Sequence, residues 1–578
     1  MERDESSEMF RGEMLARAEE ALFRGKMKRR DFMRIAVAAG LSAATAHGYA
    51  EEAKHAVTNQ AHNARALKAS YDYVIVGAGS AGCVVASRLS EDPSVTVLLL
   101  EEGGWNEQKS VEDPALWPSN IGSPTSYVYD YTDAAHCNGR TIPLPMGRGI
   151  GGGSAINVMV WARGHKANYD EWAEITGDAR WNYDSVLSIY RKIEDWQGPT
   201  SRWRGKGGNV YVEKLPSPNP IAPAMMVAAA KAGVPSTDDI NAEAMEGSGA
   251  CGIAQALIKD GRRHTVFAAY LRHALVRPNL TVLTDSTVVR VDLDGDRASA
   301  VRFIHGNREK HEKRIAARKE IVLSAGTVAT PKILMLSGIG DAEELRGLGI
   351  KPMVHSPNVG RNLRDHILLG GCVWEYKDAL PPRNNLAECT LFWKSDARLK
   401  VPDLQPFQIE VPFVTDTIAK QHQIPKAAWT LAPGLVQPRS TGRVKLMSSD
   451  FRAAPNVDPN YLAEPEDMKA LIRCVELCRE IGNSQEMSEF VKREVVPGPL
   501  DAGAMENFVR NATGTYFHLV GSCAMGSDPG SVVDAKLRVR GVRGLRVADA
   551  SVMPNITTGN TMAPSVIIGE RLAQIVRA

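Results

Sequence analysis

The chain has 578 residues, of which 44% are hydrophobic and 24% are charged, close to the average of soluble globular proteins. A chain of this size is expected to form about two to four domains, which excludes a single small binding module. The 69 Lys and Arg residues nearly balance the 67 Asp and Glu residues, which argues against a nucleic-acid-binding protein. No apolar run reaches the roughly 18 residues of a membrane span, and no CxxC pair predicts a metal site.

Residues 1–67 are predicted to form an N-terminal leader outside the folded domains. The run 28–32 (KRRDF) is followed by a weakly apolar stretch, 35–46, that ends in small residues. This pattern is typical of a twin-arginine export signal, which is an address read by a receptor. We therefore expect export to a bacterial periplasm, with cleavage near Ala46 or Ala50.

The leader leaves other interpretations open. Residues 1–25 carry seven acidic side chains against four basic ones, the wrong sign for such a signal, so a start at Met27 is one alternative. Another is a basic turn before an alanine-rich helix, in which case the protein would be cytoplasmic. A third is an amphipathic helix with an apolar stripe formed by Met9, Phe10, Met14, Ala18 and Leu22.

A strand, a glycine-rich turn and a helix follow a polar bridge over residues 51–70. Residues 71–76 are apolar and β-branched, which predicts a buried parallel strand, and a second strand over 95–100 ends at an acidic residue. Glycines in such a turn let the backbone approach a pyrophosphate at the helix N-terminus, and the acid accepts from a ribose hydroxyl. The spacing predicts a dinucleotide site formed by Gly77, Gly79, Ser80, Ala81, Gly82 and Glu101.

A second glycine cluster narrows the identity of the dinucleotide. Residues 147–164 (GRGIGGGSAINVMVWARG) offer many backbone N–H groups with little side-chain bulk, which suits contact with a large flat ligand. Residues 326–340 (GTVATPKILMLSGIG) and 359–366 (VGRNLRDH) are further motifs. On these motifs the chain resembles, over about residues 70–578, the glucose-methanol-choline (GMC) oxidoreductases, FAD enzymes that oxidise alcohols.

The resemblance implies an α/β fold with two domains. Residues 68–366 would form the main part of a Rossmann-like FAD-binding domain, with insertions that belong to the second domain left open. Residues 367–505, rich in proline and aromatic side chains, would form a substrate-binding domain of antiparallel sheet and helices. Residues 506–578 would return to the FAD-binding domain and carry the catalytic pair.

The resemblance also implies further contacts with FAD. The backbone of Val288 would meet the adenine, Asp549 would lie near the ribityl chain or the pyrophosphate, and a helix beginning near Pro564 would direct its positive end at the flavin. Ile156 stands where some members carry a histidine that links the flavin, so we expect non-covalent FAD. The other predicted FAD contacts are Gly149, Gly152, Ser154, Asn157, Ala550 and Thr561.

The predicted catalytic residues are His518 and Asn560, which match the active-site histidine of the family and its His-or-Asn partner. Oxidation of a CH–OH group by hydride transfer to flavin N5 needs a base for the hydroxyl proton, and a histidine that is neutral near pH 7 suits that task. Asn560 would hold the substrate oxygen. We expect flavin reduction to become faster with rising pH as His518 loses its proton.

The alcohol and the electron acceptor stay open at this point. The small-molecule alcohol is unnamed, and the acceptor could be O2, a quinone or a cytochrome. Leu519, Ala524 and Met562 depart from residues common in the family near the pocket, so substrate preference does not follow from the resemblance. The same scaffold also supports hydroxynitrile lyases, and this alternative predicts that substrate leaves the flavin colour unchanged.

Overall fold

The computed structural model describes residues 14–15, 17–18, 21–22, 26–39, 41–306 and 311–578. Met9 and Phe10 of the amphipathic helix considered above lie outside these residues. Within the described ranges, no helix is long and apolar enough to cross a bilayer, and no cluster of His, Cys, Asp or Glu could hold a metal ion. The α-helices of the described residues include Arg29–Ala38, Ala43–Arg65, Ser80–Leu89, Lys109–Glu112, Lys166–Thr176, Tyr183–Ile193, Ile221–Lys231, Gly326–Leu336, Ala342–Gly347, Asp416–Gln421, Pro465–Gly482, Ala502–Ala512 and Met562–Arg577.

A mixed sheet forms the core of the predicted FAD-binding domain. The first four strands in its spatial order are parallel, and the last two complete an antiparallel meander. Parallel strands are covered on both faces, which explains why the run from Val74 to Val76 is continuously apolar and buried. In the described chain the order is Leu280–Leu283, Val97–Leu100, Ser70–Val76, Lys313–Leu323, Arg297–His305 and Ser286–Asp294, with Leu545–Val547 also paired, in parallel, to Lys313–Leu323.

The glycine-rich turn lies where the strand Ser70–Val76 passes into the helix Ser80–Leu89. Gly77 has a φ of +97°, a conformation that favours glycine. A Cβ at Gly82 would lie 1.9 Å from the carbonyl oxygen of Gly77, so a side chain there would collide with the turn. The turn therefore opens at the carboxyl ends of the parallel strands, where α/β sheets bind their ligands.

An antiparallel sheet forms the core of the second domain. Five of its strands come from residues 367–505, the segment predicted to form such a sheet. The sixth, Cys251–Ile253, comes from the segment predicted to belong to the FAD-binding domain, so this sheet includes a piece of the earlier chain. The order in the described residues is Val491–Val496, Val373–Tyr376, Ala428–Ala432, Phe407–Ile409, Cys389–Leu391 and Cys251–Ile253.

A small third sheet joins the C-terminal segment to the chain just before the second domain. The strand Ile367–Leu369 lies between Gly434–Leu435 and Thr513–Thr515 and is antiparallel to both. The pairing continues beyond the strand, because the backbone N–H of Tyr516 donates to the carbonyl of His366 at 3.0 Å. This register places residues 365–366 directly beside residues 516–518.

The segment after the predicted signal is a helix, Ala43–Arg65, whereas the sequence predicted a polar bridge from residue 51. That prediction was wrong because the buried stripe of this helix is made of small residues, which give little hydrophobic contrast. Both predicted cleavage positions lie inside the helix, which packs on Arg29–Ala38 and on the strand Leu280–Leu283. The stripe consists of Ala46, Ala50, Ala53, Ala56 and Gln60.

Gln60 fastens this helix to the edge of the central sheet. Its Nε2 donates to the carbonyls of Leu275 and Leu280 at 2.8 and 3.1 Å, and its Oε1 accepts from the N–H of Val282 at 2.9 Å. Because a buried group left without a partner costs about 1–3 kcal/mol, we expect Gln60→Ala to lower the free energy of unfolding by at least that amount. Urea denaturation measures it. A midpoint equal to that of the exposed control His62→Ala would contradict this role.

Candidate active site

One cavity of about 1050 Å³ extends from the carboxyl ends of the parallel strands to the small sheet that carries residues 516–518. Its volume lies just above the range of about 300–1,000 Å³ that is usual for small-molecule sites, so it suits a large ligand. The sequence-predicted site residues that line it are Gly77, Gly79, Ser80, Ala81, Glu101, Gly149, Gly152, Asn157, Val288, His518, Asp549, Ala550, Asn560 and Thr561.

Two predicted FAD contacts, Gly82 and Ser154, are not on this lining. Gly82 allows the helix to approach the turn, as described above. The hydroxyl of Ser154 donates to the carbonyl of Gly151 at 2.7 Å and accepts from the N–H of Val266 at 3.1 Å. Both residues therefore support the cavity wall from behind and do not contact the ligand space themselves.

The wall near the glycine-rich turn leaves room for a ligand that approaches the backbone. An added Cβ at Gly79 would meet no atom nearer than the carbonyl oxygen of Ser324 at 4.0 Å, and at Gly153 it would meet nothing within 4 Å. The buried hydroxyl of Ser324 has no hydrogen-bond partner, although Ser324 lies on the lining. The open backbone and the N-terminus of the helix Ser80–Leu89 together fit the pyrophosphate of a dinucleotide.

Glu101 is buried at the end of the strand Val97–Leu100. Its carboxylate accepts hydrogen bonds from the N–H groups of Ala78, Gly103 and Gly149 at 2.8, 2.8 and 3.0 Å. Burial raises the pKa of Glu101 above its usual value in spite of these donors. A carboxylate has about four acceptor positions, so one remains for a ribose hydroxyl while the others hold two glycine loops together.

Asp549 lies on the lining, but its carboxylate is engaged by the protein. It accepts from the N–H of Gly326 at 2.9 Å, from the hydroxyl of Thr330 at 2.6 Å and from the N–H of Ser551 at 2.8 Å. Asp549 therefore fixes the start of the helix Gly326–Leu336 against the return segment. This contact brings Ala550 onto the same wall.

The C-terminal helix Met562–Arg577 begins at the cavity, two residues before the predicted start at Pro564. Thr561, Met562 and Ser565 line the cavity, so the first turn faces the ligand space. The N-terminus of a helix carries a partial positive charge. It can thus stabilise an anionic group in this part of the cavity.

His518 and Asn560 meet at the other end of the cavity. The Nδ2 atom of Asn560 lies 3.2 Å from Nε2 of His518. Oδ1 of Asn560 accepts from Nε2 of Gln405 at 3.3 Å, which turns the amide N–H₂ towards the histidine. A hydroxyl group is both donor and acceptor, so a substrate alcohol can donate to Nε2 of His518 and accept from Nδ2 of Asn560.

Burial lowers the pKa of His518 to about 3, so the ring is neutral throughout the physiological range. The expectation that His518 loses its proton near neutrality was therefore wrong, because it used the value of an exposed histidine. The ring of Tyr516 stacks on that of His518 with centroids 5.0 Å apart and planes 21° apart. Stacking holds the ring of His518 in one orientation.

Asp365 supports the turn that carries His518. Its Oδ1 accepts from the backbone N–H of His518 at 2.8 Å, and its Oδ2 accepts from the hydroxyl groups of Thr515 and Tyr461. Burial raises the pKa of Asp365 to about 6. Phe517, between the two ends of this turn, has a φ of +67°, which the surrounding hydrogen bonds maintain.

The site includes residues to which the sequence analysis gave no role. Asp365 and His366 belong to the motif 359–366, so a sequence signal existed, although their contacts depend on strand pairing with the C-terminal segment. Gln405 had no signal, because it is one of several polar residues in the mixed segment 401–410 (VPDLQPFQIE). Only the fold places it against Asn560.

The walls around His518 are apolar. Phe407 and Ile409 are two residues apart on one strand, so both side chains face the cavity. The carboxylates on the lining, Glu101, Glu102 and Asp549, lie by the strand ends and the glycine loops. The apolar residues at the histidine end are Leu368, Phe407, Ile409, Phe413, Tyr516 and Phe517.

Comparisons with known proteins agree with this architecture. The GMC oxidoreductase model matches residues 71–368 with its N-terminal part and residues 438–569 with its C-terminal part. An alcohol dehydrogenase (acceptor) from Pseudomonas putida is 35% identical, covering 88% of this chain and 95% of that protein. An oxygen-dependent choline dehydrogenase from Sinorhizobium fredii is also 35% identical, covering 87% of this chain and 94% of that protein.

A solved structure extends the likeness to three dimensions. Pyridoxine 4-oxidase from Mesorbium loti has a TM-score of 0.83 and 33% identity, covering 87% of this chain and 99% of that chain. A formate oxidase from Aspergillus oryzae has a TM-score of 0.79 and 26% identity, covering 88% of this chain and 98% of that chain. Because the family model matches more than half of the chain and the relatives cover nearly all of the two domains, the chain belongs to the GMC oxidoreductase family.

Proposed function

We propose that this protein is an FAD-dependent enzyme that oxidises the CH–OH group of a neutral, largely apolar alcohol to an aldehyde or ketone, with His518 as the general base. The observation that carries the proposal is the pair formed by Nε2 of His518 and Nδ2 of Asn560, an acceptor and a donor that one hydroxyl group satisfies. The names of the alcohol and choline dehydrogenases among the relatives support oxidation of alcohols.

The cavity residues fit FAD, whose oxidised flavin would accept the hydride when bound. The turn from Gly77 to Gly82 would hold the pyrophosphate and Glu101 a ribose hydroxyl. Ile156 lies on the lining and has no atom that can form a bond to the flavin, so we propose non-covalent binding. Acid precipitation should release all of the flavin into the supernatant, and flavin that stays with the polypeptide would contradict this.

His518 and Asn560 have different roles at the hydroxyl group of the alcohol. His518 accepts the hydroxyl proton on Nε2 as the hydride leaves the carbon, and Asn560 holds the oxygen through Nδ2. Because burial keeps His518 neutral, no proton must be lost before it can act. A positioned general base of this kind contributes about 10²- to 10⁴-fold to a rate.

The apolar histidine end predicts discrimination against a cationic alcohol. Among the lining residues that the structure describes, no carboxylate lies at the end of the cavity that contains His518. Aromatic rings alone contribute about 0.5–2 kcal/mol to binding a cation, which does not offset the cost of removing the charge from water. We expect kcat/KM for choline to be at least about tenfold below that for its uncharged isostere, in which carbon replaces nitrogen, since about 1.4 kcal/mol gives that factor. Equal values would contradict a neutral substrate.

An anaerobic alcohol panel read by flavin absorbance tests the function itself. A substrate alcohol should bleach the flavin, and later admission of air shows whether O2 reoxidises it. If the panel contains a compound that is turned over while the flavin stays yellow, the lyase alternative is correct and the oxidoreductase proposal fails. If O2 reoxidises slowly, quinone and cytochrome acceptors are tested next.

Export to the periplasm by the twin-arginine route is a further proposal, supported by the run 28–32. The side chain of Arg29 contacts Glu51 and His47 of the helix Ala43–Arg65, so the signal can be read only when the two helices are apart. We expect Arg29→Lys combined with Arg30→Lys to retain the enzyme in the cytoplasm, whereas Lys28→Arg should not. An unchanged distribution between cytoplasm and periplasm would contradict export by this route.

A further inference from the structure

A second histidine, His366, lies directly behind His518. It has no exposed surface and does not line the cavity, so it cannot touch a substrate. Its Nδ1 is 2.9 Å from Nδ1 of His518, and the two rings meet edge to face with centroids 5.0 Å apart. One of the two Nδ1 atoms must therefore donate a hydrogen bond and the other must accept it.

The other nitrogen of His366 decides which ring donates. Nε2 of His366 lies 3.0 Å from the carbonyl oxygen of Thr557, which can only accept. Nε2 of His366 thus carries the hydrogen. Burial holds the pKa of His366 well below its usual value, so the ring is neutral and its Nδ1 has a free lone pair. His366 is therefore the acceptor, and Nδ1 of His518 is the donor.

The opposite end of the chain of hydrogen bonds leads to the same assignment. Gln405 donates to Oδ1 of Asn560, which leaves the amide N–H₂ of Asn560 to donate to Nε2 of His518. Nε2 of His518 must then be an acceptor, without a hydrogen. The carbonyl of Thr557, which can only accept, thus fixes the tautomer of His518, and the amides of Gln405 and Asn560 are oriented in agreement with it.

We propose that His366 is a positioning residue that holds His518 in the tautomer whose unprotonated Nε2 faces the cavity. The proposal rests on the proposed function, in which that nitrogen is the base. In the opposite tautomer Nε2 would carry a hydrogen and could not accept one from the substrate.

His366 also stabilises the imidazolium cation that His518 becomes during the reaction. The O–H bond of the alcohol breaks, its proton binds Nε2 of His518, and the electron pair left on oxygen becomes part of the C=O bond as the hydride goes to oxidised flavin. His518 then carries hydrogen on both nitrogens, and its Nδ1–H still donates to His366. The carbonyl of Thr557 cannot accept a proton, so the relay ends at His366 and the proton stays in the site.

A matched pair of variants tests the role of His366. Glutamine offers an acceptor and a donor on one side chain, so His366→Gln can accept from His518 and donate to Thr557. Methionine has a similar length but has neither strong group, so His366→Met leaves the N–H of His518 without a partner. We expect His366→Met to slow anaerobic flavin reduction by benzyl alcohol about 5- to 150-fold, with FAD content unchanged, and His366→Gln to recover most of the loss.

A spectroscopic readout separates this role from packing. In holoenzyme labelled with ¹⁵N-histidine, the Nε2 signal of His518, identified by its loss in His518→Ala, should have the shift of an unprotonated nitrogen. In His366→Met that signal should move towards the protonated range, and in His366→Gln it should not. Equal reduction rates for the Gln and Met variants, or a protonated Nε2 in the wild type, would overturn the proposal. If the wild type is not bleached by any alcohol, the proposed function fails, whereas the NMR assignment still tests the tautomer.

Discussion

Replacement of His518 by alanine is expected to slow anaerobic reduction of the flavin by an alcohol about 10²- to 10⁴-fold, the contribution of a positioned general base. Asn560→Ala should cost about 10²-fold, as expected for one hydrogen bond to the reacting oxygen. Both side chains act on the same hydroxyl group, so the double variant should be less impaired than the product of the single effects. Stopped-flow absorbance of the flavin measures all three.

The pH dependence gives the same variants a second readout. Because burial holds the pKa of His518 at about 3, the base itself stays unprotonated across neutral pH, and the wild-type reduction rate should be flat between about pH 7 and pH 9, above the pKa of about 6 of Asp365. Below pH 7 protonation of Asp365 weakens the support of the His518 turn, and near pH 3 His518 gains the proton that removes the base. A wild-type rate that rises between about pH 7 and pH 9, and does so no longer in His518→Ala, would contradict this burial effect.

FAD content decides whether the loss in His518→Ala is catalytic. The residues that we propose to bind FAD lie on other segments, so the variant should purify with the wild-type ratio of flavin to protein. His264→Ala is the matched control, because that histidine bonds the carbonyl of Asn209 and lies outside the lining. A wild-type reduction rate in His518→Ala would remove His518 from the mechanism.

The second large effect is expected from Gly79→Ala, which should weaken FAD binding while leaving the protein folded. Gly79 has a φ of −74°, which alanine adopts freely, and the added Cβ would meet only open space in the cavity wall. The methyl group would occupy the approach of the pyrophosphate to the backbone. Loss of two hydrogen bonds to a charged group costs about 3–6 kcal/mol in total, so the dissociation constant should rise about 10²- to 10⁴-fold.

Two other glycines serve as controls for this experiment. Gly104 also has open space around it but lies off the lining, so Gly104→Ala should leave both stability and FAD affinity unchanged. Gly82→Ala should destabilise the fold itself, because its Cβ would lie 1.9 Å from a backbone oxygen. Quenching of FAD fluorescence measures affinity and thermal unfolding measures stability. Wild-type affinity in Gly79→Ala would contradict the position assigned to the pyrophosphate.

The dinucleotide end was predictable because its requirements are local in sequence. A buried strand, three spaced glycines, a helix and an acid at the end of the next strand lie within residues 70–101, and each has a backbone reason for its identity.

The features that escaped prediction depend on contacts between distant segments. His366 is 152 positions from His518, and only the pairing of Ile367–Leu369 with Thr513–Thr515 brings them together. The pKa of His518 depends on how completely these segments enclose it, which no motif encodes. The helix Ala43–Arg65 was missed for a different reason, since an alanine stripe buries well but has little hydrophobic contrast with its polar neighbours.

The strand Leu545–Val547 has a consequence for how the protein is made. It follows the other strands of the central sheet in sequence and pairs with Lys313–Leu323, which pairs on its other side with Ser70–Val76. At about 5–20 residues per second of synthesis, residues 367–505 emerge from the ribosome while this sheet still lacks a member. Asn560 follows this strand, so the wall that it shares with His518 is also incomplete at that stage. We therefore expect tight FAD binding only after residues 545–561 have emerged.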